Sequence, residues 1–169
     1  MLLSDLLDHV SQEVSVTGDI RIEVLGVVND SRHVKPGFVF VAIPGIKQDG
    51  TTFAQEAVER GAVALLASKL LPLDVGAQVV ATDVREALGE LVSAFYSHPS
   101  RSMRMIGVTG TNGKTTVTYL LESILKEAGF STGLIGTIET RYAGVSRLST
   151  HTSPDSPELQ CTQIGRAHV

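Results

Sequence analysis

Residues 107–116 read Gly-Val-Thr-Gly-Thr-Asn-Gly-Lys-Thr-Thr, and they lie between an apolar run and a helical pattern. Glycine recurs at every third position, which lets backbone N–H groups turn towards an anion where a Cβ would obstruct them. The helix that follows adds the positive end of its dipole. Lys114 can reach the outer phosphates of a nucleotide, and the hydroxyl of Thr115 can bind Mg²⁺. The stretch therefore predicts a strand, a triphosphate-binding loop and a helix.

The spacing of these residues differs from the most common phosphate-loop pattern. Gly-x-x-x-x-Gly-Lys-[Ser/Thr] requires glycine at position 108, where this chain has Val108. A dinucleotide site is disfavoured because the sequence has no Gly-x-Gly-x-x-Gly. A glycine-rich turn without a ligand is the structural alternative, but Gly-Lys-Thr-Thr between a strand and a helix has little structural purpose otherwise.

Composition bounds the class of protein. The 169 residues are 43% hydrophobic, carry a formal net charge of −4 and include one cysteine, Cys161. One or two modest cores can be built from this material, and the lack of a basic cluster argues against nucleic acid as a partner. One cysteine excludes an internal disulfide framework, and no apolar stretch approaches the ~18–20 residues that cross a bilayer. The N-terminus has no basic signal-peptide region, so we expect a cytoplasmic enzyme without a membrane partner.

The first hundred residues alternate between strand and helix patterns, which predicts a small α/β domain over residues 1–100. Helices are predicted over residues 1–10, from a capping box at Thr52 and Gln55 to Gly61, and from an Asp83 cap to Phe95. Strands are predicted at residues 22–29, 38–43, 62–67 and 78–81. The run His98-Pro99-Ser100 ends the last helix and marks the domain boundary.

Residues 101–162 predict the beginning of a second α/β domain. A strand at 104–109 leads into the phosphate loop, and a helix over 115–128 ends at Gly129. A further strand is predicted at 132–138, in the same parallel sheet as the first. A hairpin centred on Gly144 is expected to follow it.

The last residues of the chain are not expected to belong to the native fold. Residues 164–169, Ile-Gly-Arg-Ala-His-Val, are one translation frame of a common sequencing-library adapter, ATC GGA AGA GCA CAC GTC. The adapter begins with AG, which fits a CAG codon for Gln163. We therefore expect residues 163–169 to be a non-native read-through tail, with an ordinary frayed end as the alternative.

Two stretches resemble the Mur ligase family in its nucleotide-binding parts. Residues 109–116 are similar to the phosphate loop of Mur ligases and of their folylpolyglutamate synthetase relatives. The run Asn29-Asp30-Ser31-Arg32, with residues 35–42 and 45–50 behind it, resembles the uridine-nucleotide-binding domain of the MurE and MurF types.

Two more stretches narrow the resemblance to the MurE type. Residues 133–138, Gly-Leu-Ile-Gly-Thr-Ile, resemble the second strand of the MurE central domain. Residues 151–155 are similar to the MurE Thr-Thr-Pro loop, with Ser153 in place of the second threonine. The chain is identified as a member of this type across residues 20–160.

The resemblance implies an ATP-dependent ligase that acts as a monomer. Members of this type use ATP and Mg²⁺ to add a diamino acid to UDP-N-acetylmuramoyl-L-alanyl-D-glutamate, through an acyl phosphate, in peptidoglycan precursor synthesis. meso-Diaminopimelate is expected rather than L-lysine because it is the more widespread choice in the family. The family's metal-binding Glu, modified lysine and amino-acid-selecting C-terminal domain are expected beyond residue 160. The alternatives are a MurF-type ligase, another phosphate-loop kinase or ATPase, and a non-catalytic nucleotide-binding module.

The resemblance also assigns site residues. Lys114 is expected to be catalytic and Thr115 to bind Mg²⁺, and ATP is expected at Gly110, Thr111, Asn112, Gly113, Lys114, Thr115 and Thr116. Ser31 is expected to hydrogen-bond the uridine diphosphate part of the substrate, and further substrate contacts are expected at Lys47, Gln48, Thr152 and Ser153.

Each substrate position also has a purely structural explanation. Asp30-Ser31 can be a turn that bonds its own backbone, and Lys47 and Gln48 can be an exposed polar loop. Thr152 and Ser153 can flank a helix that is capped by Asp155 or Ser156.

Overall fold

The computed structural model describes residues 1–45, 49–142, 144–148, 156–157, 159–160 and 162. The chain forms two compact units, Met1–Ser97 and His98–Val169. Among the helices of the described residues, none combines the length and apolar character needed to span a bilayer.

The first unit is built on a five-stranded sheet. Its strands are β1 (Val14–Gly18), β2 (Gly26–Val28), β3 (Phe38–Val41), β4 (Ala62–Ala67) and β5 (Ala77–Ala81). Their order is β1-β5-β4-β3-β2, and all neighbours are parallel except β1, which pairs antiparallel with β5. This mostly parallel sheet with helices confirms the predicted α/β class.

Helices cover both faces of this sheet. The first unit contains α1 (Leu3–Leu7), α2 (Ala54–Glu59) and α3 (Val84–Phe95). Leu3 of α1 and Leu91 of α3 pack with the side chains that β3 and β4 send to one face, whereas Ala57 of α2 packs with those on the other. Because side chains alternate along a strand, the continuous apolar runs of β3 and β4 supply both cores.

The predicted cap of α3 is confirmed, but the predicted start of the 52–61 helix is wrong. Asp83 accepts hydrogen bonds from the N–H groups of Arg85 and Glu86, both at 3.0 Å. At the other helix, a 3₁₀ turn over Gly50–Phe53 comes first, capped by Asp49, and α2 begins only at Ala54. The Thr52 hydroxyl donates to the carbonyl of Asp49 instead of capping. A charged carboxylate is a stronger acceptor than a hydroxyl, so the turn begins at the aspartate.

Other elements of this unit also differ from the prediction. The 1–10 helix shrinks to α1, and the strand at 22–29 shrinks to β2. The edge strand β1 was not predicted, and four of its five residues face solvent. The sequence does carry a signal for it, because Val14-Ser15-Val16-Thr17 alternates between apolar and polar residues.

The second unit holds one long helix and a small antiparallel sheet. A 3₁₀ turn at Pro99–Ser102 precedes α4 (Lys114–Glu127), and β6 (Leu134–Ile135), β7 (Glu139–Tyr142) and β8 (Val145–Leu148) follow. The sheet order is β6-β7-β8. The predicted hairpin is confirmed, since Tyr142 pairs with Val145 and Gly144 has a φ of +77°.

The predicted parallel pairing of residues 104–109 with 132–138 is wrong within the described residues. Residues 103–109 form neither strand nor helix, and β6 is two residues long and antiparallel to β7. A parallel strand needs neighbours on its edges and cover on its faces. Met105 and Ile106 are more than half exposed here, so the described part of this unit does not supply that cover.

Helix α4 shows the same deficit of cover. Val117, Leu120 and Ile124 lie on its predicted apolar face, yet all three are exposed. The buried residue of the helix is Glu122 instead, which pairs with Lys126 at 3.0 Å and with Arg141 of β7. Ion pairs and the hairpin therefore hold one side of α4, and the part of its apolar side formed by Val117, Leu120 and Ile124 faces solvent.

This difference in cover predicts different local stability in the two units. Backbone amides of β3, β4 and β5 should exchange with solvent at least about tenfold more slowly than those of α4, because their opening exposes two apolar cores. Hydrogen exchange followed by mass spectrometry or NMR measures this directly. Equal protection of β4 and α4 would contradict the interpretation.

Candidate functional site

The phosphate loop ends in a left-handed glycine that starts α4. Gly113 is the N-cap of the helix, with φ +77° and ψ −4°, and Gly110 has φ +149°. L-residues with a Cβ rarely adopt these angles, so both positions require glycine for conformational reasons. The first intrahelical bond runs from the N–H of Val117 to the carbonyl of Gly113 at 2.9 Å. The N–H groups of the preceding turn lie ahead of that bond, at the positive end of a 14-residue helix.

The space around the loop suits the close approach of an anion. A Cβ built on Gly107 or Gly113 would meet no atom within 4 Å. Packing among the described residues therefore does not explain Gly107. Open space beside a run of backbone N–H groups is what a phosphate needs.

Lys114 carries its charge back over this loop. Its Nζ donates to the carbonyl of Gly110 at 2.6 Å, which closes the loop across four residues. In the described part of the chain, no carboxylate forms an ion pair with Lys114. The ammonium is thus positioned by a neutral carbonyl, and its charge remains available to an anionic ligand.

The hydroxyls beside Lys114 are the remaining polar groups of the loop. Thr115 is half-buried, and its carbonyl accepts from the Thr118 hydroxyl at 2.8 Å. Thr116 is exposed, as are Thr111 and Asn112. The described residues contain no cluster of three His, Cys, Asp or Glu that could hold a metal ion. The Thr115 hydroxyl is an oxygen ligand of the kind that Mg²⁺ accepts.

Ser31 occupies a different setting, in the first unit. It lies in a 3₁₀ turn over Ser31–His33, is 5% exposed, and donates its hydroxyl proton to Oε2 of Glu56 at 2.7 Å. Asp30 caps this turn by accepting from the N–H of Arg32 at 2.9 Å. The predicted self-bonded turn and a buried, partnered hydroxyl thus coexist at the same residues.

Charged groups surround Ser31. Hydrogen bonds from Arg32, at 2.6 Å between Nη2 and Oδ2, are the main cause that lowers the pKa of Asp30 to about 2. The hydrogen bond from Ser31, and then the one from Arg60, lower the pKa of Glu56. Both carboxylates are therefore ionised at neutral pH, and each is paired with an arginine.

Glu56 was not predicted as part of this group. Its spacing from Arg60 matches an i, i+4 ion pair on a helix, which the sequence does signal. Its contact with Ser31 joins residues 25 positions apart and has no local signal. The other predicted substrate residues, Lys47, Gln48, Thr152 and Ser153, lie outside the described residues, as does the predicted tail at 163–169.

The pairing of Asp30 with Arg32 has a measurable pH signature. The pKa of Asp30 should be about 2, and in Arg32→Leu it should rise towards the ordinary 3.8 because the main lowering cause is lost. A pKa depressed by folding means that this contribution to stability is present above pH 3.8 and is lost as the pH falls towards 2. NMR titration of the Asp30 carboxyl carbon in both proteins tests this. Titration of the wild-type group near 3.8 would contradict the pairing.

Two family models match the chain. Residues 23–96 match the Mur ligase family, catalytic domain, and residues 108–164 match the Mur ligase middle domain. The matched ranges contain Ser31 with Glu56 and the phosphate loop from Val108 onward, respectively.

The relatives by sequence are ligases of one kind. The UDP-N-acetylmuramoyl-L-alanyl-D-glutamate–2,6-diaminopimelate ligase of Syntrophomonas wolfei is 42% identical over 161 residues, which are 95% of this chain and 33% of that protein. The ligase of the same name from Geobacillus thermodenitrificans is 44% identical over 140 residues, or 83% and 28% of the two chains. This chain thus spans about a third of the length of the curated relatives it matches.

Solved structures that resemble this chain include two ligases. A structure of a UDP-N-acetylmuramoyl-L-alanyl-D-glutamate–2,6-diaminopimelate ligase superposes with a TM-score of 0.76 at 26% identity, covering 99% of this chain and 34% of that one. A MurF structure from Acinetobacter baumannii has a TM-score of 0.58 at 20% identity, covering 97% and 32%, and shares the fold. Both matched models and the relatives by sequence name one family, and the chain therefore belongs to the Mur ligases.

Proposed function

We propose that this chain is the N-terminal part of a MurE-type ligase, which uses ATP to add a diamino acid to UDP-N-acetylmuramoyl-L-alanyl-D-glutamate. The observation that carries the proposal is the loop in which Gly113 starts α4 and Lys114 is held over Gly110. The MurE type is supported by the names of the sequence relatives and by the higher TM-score of the diaminopimelate ligase structure than of the MurF structure.

The reaction needs activation of a carboxylate. The free carboxylate of the UDP-linked substrate attacks the γ-phosphorus of ATP, which gives an acyl phosphate and ADP. The amino group of the diamino acid then attacks the acyl carbon, and phosphate leaves through a tetrahedral intermediate. Phosphoryl transfer of this kind depends mainly on positioning and on electrostatic stabilisation of the phosphate oxygens.

In this proposal the loop residues provide both the positioning and the electrostatic stabilisation. The N–H groups from Gly110 to Thr116 bind the phosphates, and Lys114 neutralises the charge that shifts on transfer. Thr115 would hold Mg²⁺, and this ion would supply positive charge that offsets the charge of the phosphates. Thr111 and Asn112 belong to the same loop and contribute N–H groups.

The rest of the proposal concerns the acceptor substrate and the organisation of the chain. Ser31 belongs to the site of the uridine end, and Lys47, Gln48, Thr152 and Ser153 stay predicted contacts of the muramoyl substrate. We assign residues 1–100 to a UDP-substrate domain and residues 101–162 to part of an ATP-binding domain.

The setting of the reaction follows from its substrates. The diamino acid is proposed to be meso-diaminopimelate, in keeping with the names of the relatives. The ligase works as a monomer in the cytoplasm, where UDP-linked precursors and ATP are available. The 169 residues on their own are proposed to bind ligands without turnover.

Lys114 gives the first test of this proposal. Lys114→Ala should weaken binding of Mg²⁺-ATP to this chain by about tenfold or more, because hydrogen bonds to charged groups are the stronger class. Lys114→Arg should weaken it too, since a planar guanidinium does not replace a compact ammonium in a tight loop. NMR titration of the ¹⁵N-labelled chain measures the affinities, and the spectrum without ligand reports whether each variant is folded.

Lys126→Ala is the matched control, because this lysine lies in the last turn of the same helix. Its affinity for Mg²⁺-ATP should stay within about twofold of the wild type, since helix-end charges act within the last turn only. Equal effects of the two alanine variants, or no loss with Lys114→Ala, would contradict the assignment of the loop.

Ser31 gives an independent test. Ser31→Ala should weaken binding of UDP to the chain and leave the affinity for Mg²⁺-ATP unchanged, because the two ligands are assigned to different units. The same titrations measure both effects. Loss of ATP binding in Ser31→Ala would contradict this assignment.

A further inference from the structure

The direction of the hydrogen bond at Ser31 is fixed by its partner. Glu56 is ionised, and a carboxylate can only accept, so the Ser31 hydroxyl must be the donor in their 2.7 Å contact. A serine hydroxyl has a single proton. While this bond is made, the oxygen of Ser31 has only lone pairs to offer to any other group.

Glu56 is itself held in place by the helix on which it lies. It is in the first turn of α2, where the helix dipole favours a negative charge. Its other oxygen, Oε1, pairs with the Nη2 of Arg60 at 2.9 Å, one turn along the helix. The two oxygens thus serve two different partners, Ser31 and Arg60, and neither contact requires the other to break.

The contact lies where a ligand can approach. Ser31 is almost fully buried, whereas the side chains of Glu56 and Arg60 are 41% and 45% exposed, and that of Arg32 is 77% exposed. The bond is therefore at the boundary between the interior and solvent. A ligand that reaches Ser31 from this side meets an acceptor oxygen with a carboxylate beside it.

We propose that Glu56 is a positioning residue that makes Ser31 an acceptor, so that Ser31 binds an N–H or O–H group of the uridine and not the diphosphate. Phosphate oxygens carry no proton at neutral pH, so against Ser31 they would face only lone pairs, and the nearby charge of Arg60 is already paired with Glu56. The nucleoside offers donors at the base N–H and at the ribose hydroxyls. This inference rests on the proposed binding of a UDP-linked substrate to the first unit and adds which part of it Ser31 contacts.

Uridine and inorganic diphosphate are the two probes that distinguish this role of Glu56 from a merely structural one. In Glu56→Ala the Ser31 hydroxyl loses the carboxylate to which it donates, and one negative charge is removed from α2. Uridine should then bind about threefold to tenfold more weakly, because its donor loses an oriented acceptor. Because Glu56→Ala also frees the guanidinium of Arg60, the diphosphate measurement uses Glu56→Ala/Arg60→Ala, in which inorganic diphosphate should bind more tightly since it gains Ser31 as a donor. A merely destabilised fold would weaken both.

Two further variants complete the experiment. Glu59→Ala removes the same charge from the same helix, but Glu59 accepts from Gln55 and not from Ser31, so uridine affinity should not change. Glu56→Gln keeps an oxygen that accepts from Ser31 and should retain uridine affinity within about twofold. NMR titrations of the ¹⁵N-labelled chain with uridine, UDP and inorganic diphosphate give the dissociation constants, and the spectra report folding.

The outcomes distinguish this inference from the function on which it rests. If wild-type chain does not bind UDP, the proposed substrate fails and Glu56 has no role to play. If UDP binds but Glu56→Ala behaves like Glu59→Ala with uridine, only the role of Glu56 is overturned. The role of Glu56 is also overturned if Ser31→Ala weakens diphosphate binding as much as uridine binding, because Ser31 would then contact the phosphates.

Discussion

A strand inside a parallel sheet must bury side chains on both of its faces, and this constraint shapes both units of the chain. In the first unit, β3 and β4 meet it with apolar side chains in alternation, Val39 and Leu66 towards one core and Phe40 and Leu65 towards the other. The helices α1 and α3 close the first core and α2 closes the second. These three helices all lie within the first unit, residues 1–97.

The described part of the second unit does not meet the same constraint. The apolar residues before the phosphate loop are exposed, and so are Val117, Leu120 and Ile124 of α4. Polar contacts fix the helix instead. Glu122 is 7% exposed and pairs with Lys126 and Arg141, while the Tyr119 hydroxyl donates to Glu139 at 2.7 Å. Arg141 also lies over the ring of Tyr119, 4.8 Å from its centre. The loop geometry at Gly113 persists in this setting because it depends on the backbone of a few residues and not on a completed sheet.

The sequence correctly predicted those elements that depend on residues close to one another in the chain. The bounds of β4 match the predicted 62–67, because a short apolar run follows directly on a glycine at φ +96°. Helix α3 follows from the Asp83 cap and one sustained apolar face, and the hairpin follows from Gly144. The start of α4 behind Gly113 belongs to the same group, since the glycines and the helix start are contiguous in sequence, while phosphate binding at this loop stays a prediction.

Features that depend on distant partners could not be predicted in this way. The apolar run at 104–109 reads as a strand, but a strand forms only where neighbours pair with it, and the described residues provide none. The edge strand β1 has a local apolar–polar alternation, but its place beside β5, roughly sixty residues away, follows only from the fold. The contact of Ser31 with Glu56 is likewise a consequence of the fold. Sequence could nominate Ser31, but not the direction in which its proton points.

We propose that this chain is part of a ligase that joins a diamino acid to a UDP-linked muramoyl dipeptide. The most direct measurement is mass spectrometry of the product formed by the gene product that carries this chain, given UDP-N-acetylmuramoyl-L-alanyl-D-glutamate, Mg²⁺-ATP and meso-diaminopimelate. The account predicts an ATP-dependent product that is heavier by one diaminopimelate residue, with one ADP and one phosphate released for each bond formed. Addition of D-alanyl-D-alanine to a UDP-linked tripeptide, or ATP hydrolysis without incorporation of a diamino acid, would contradict it.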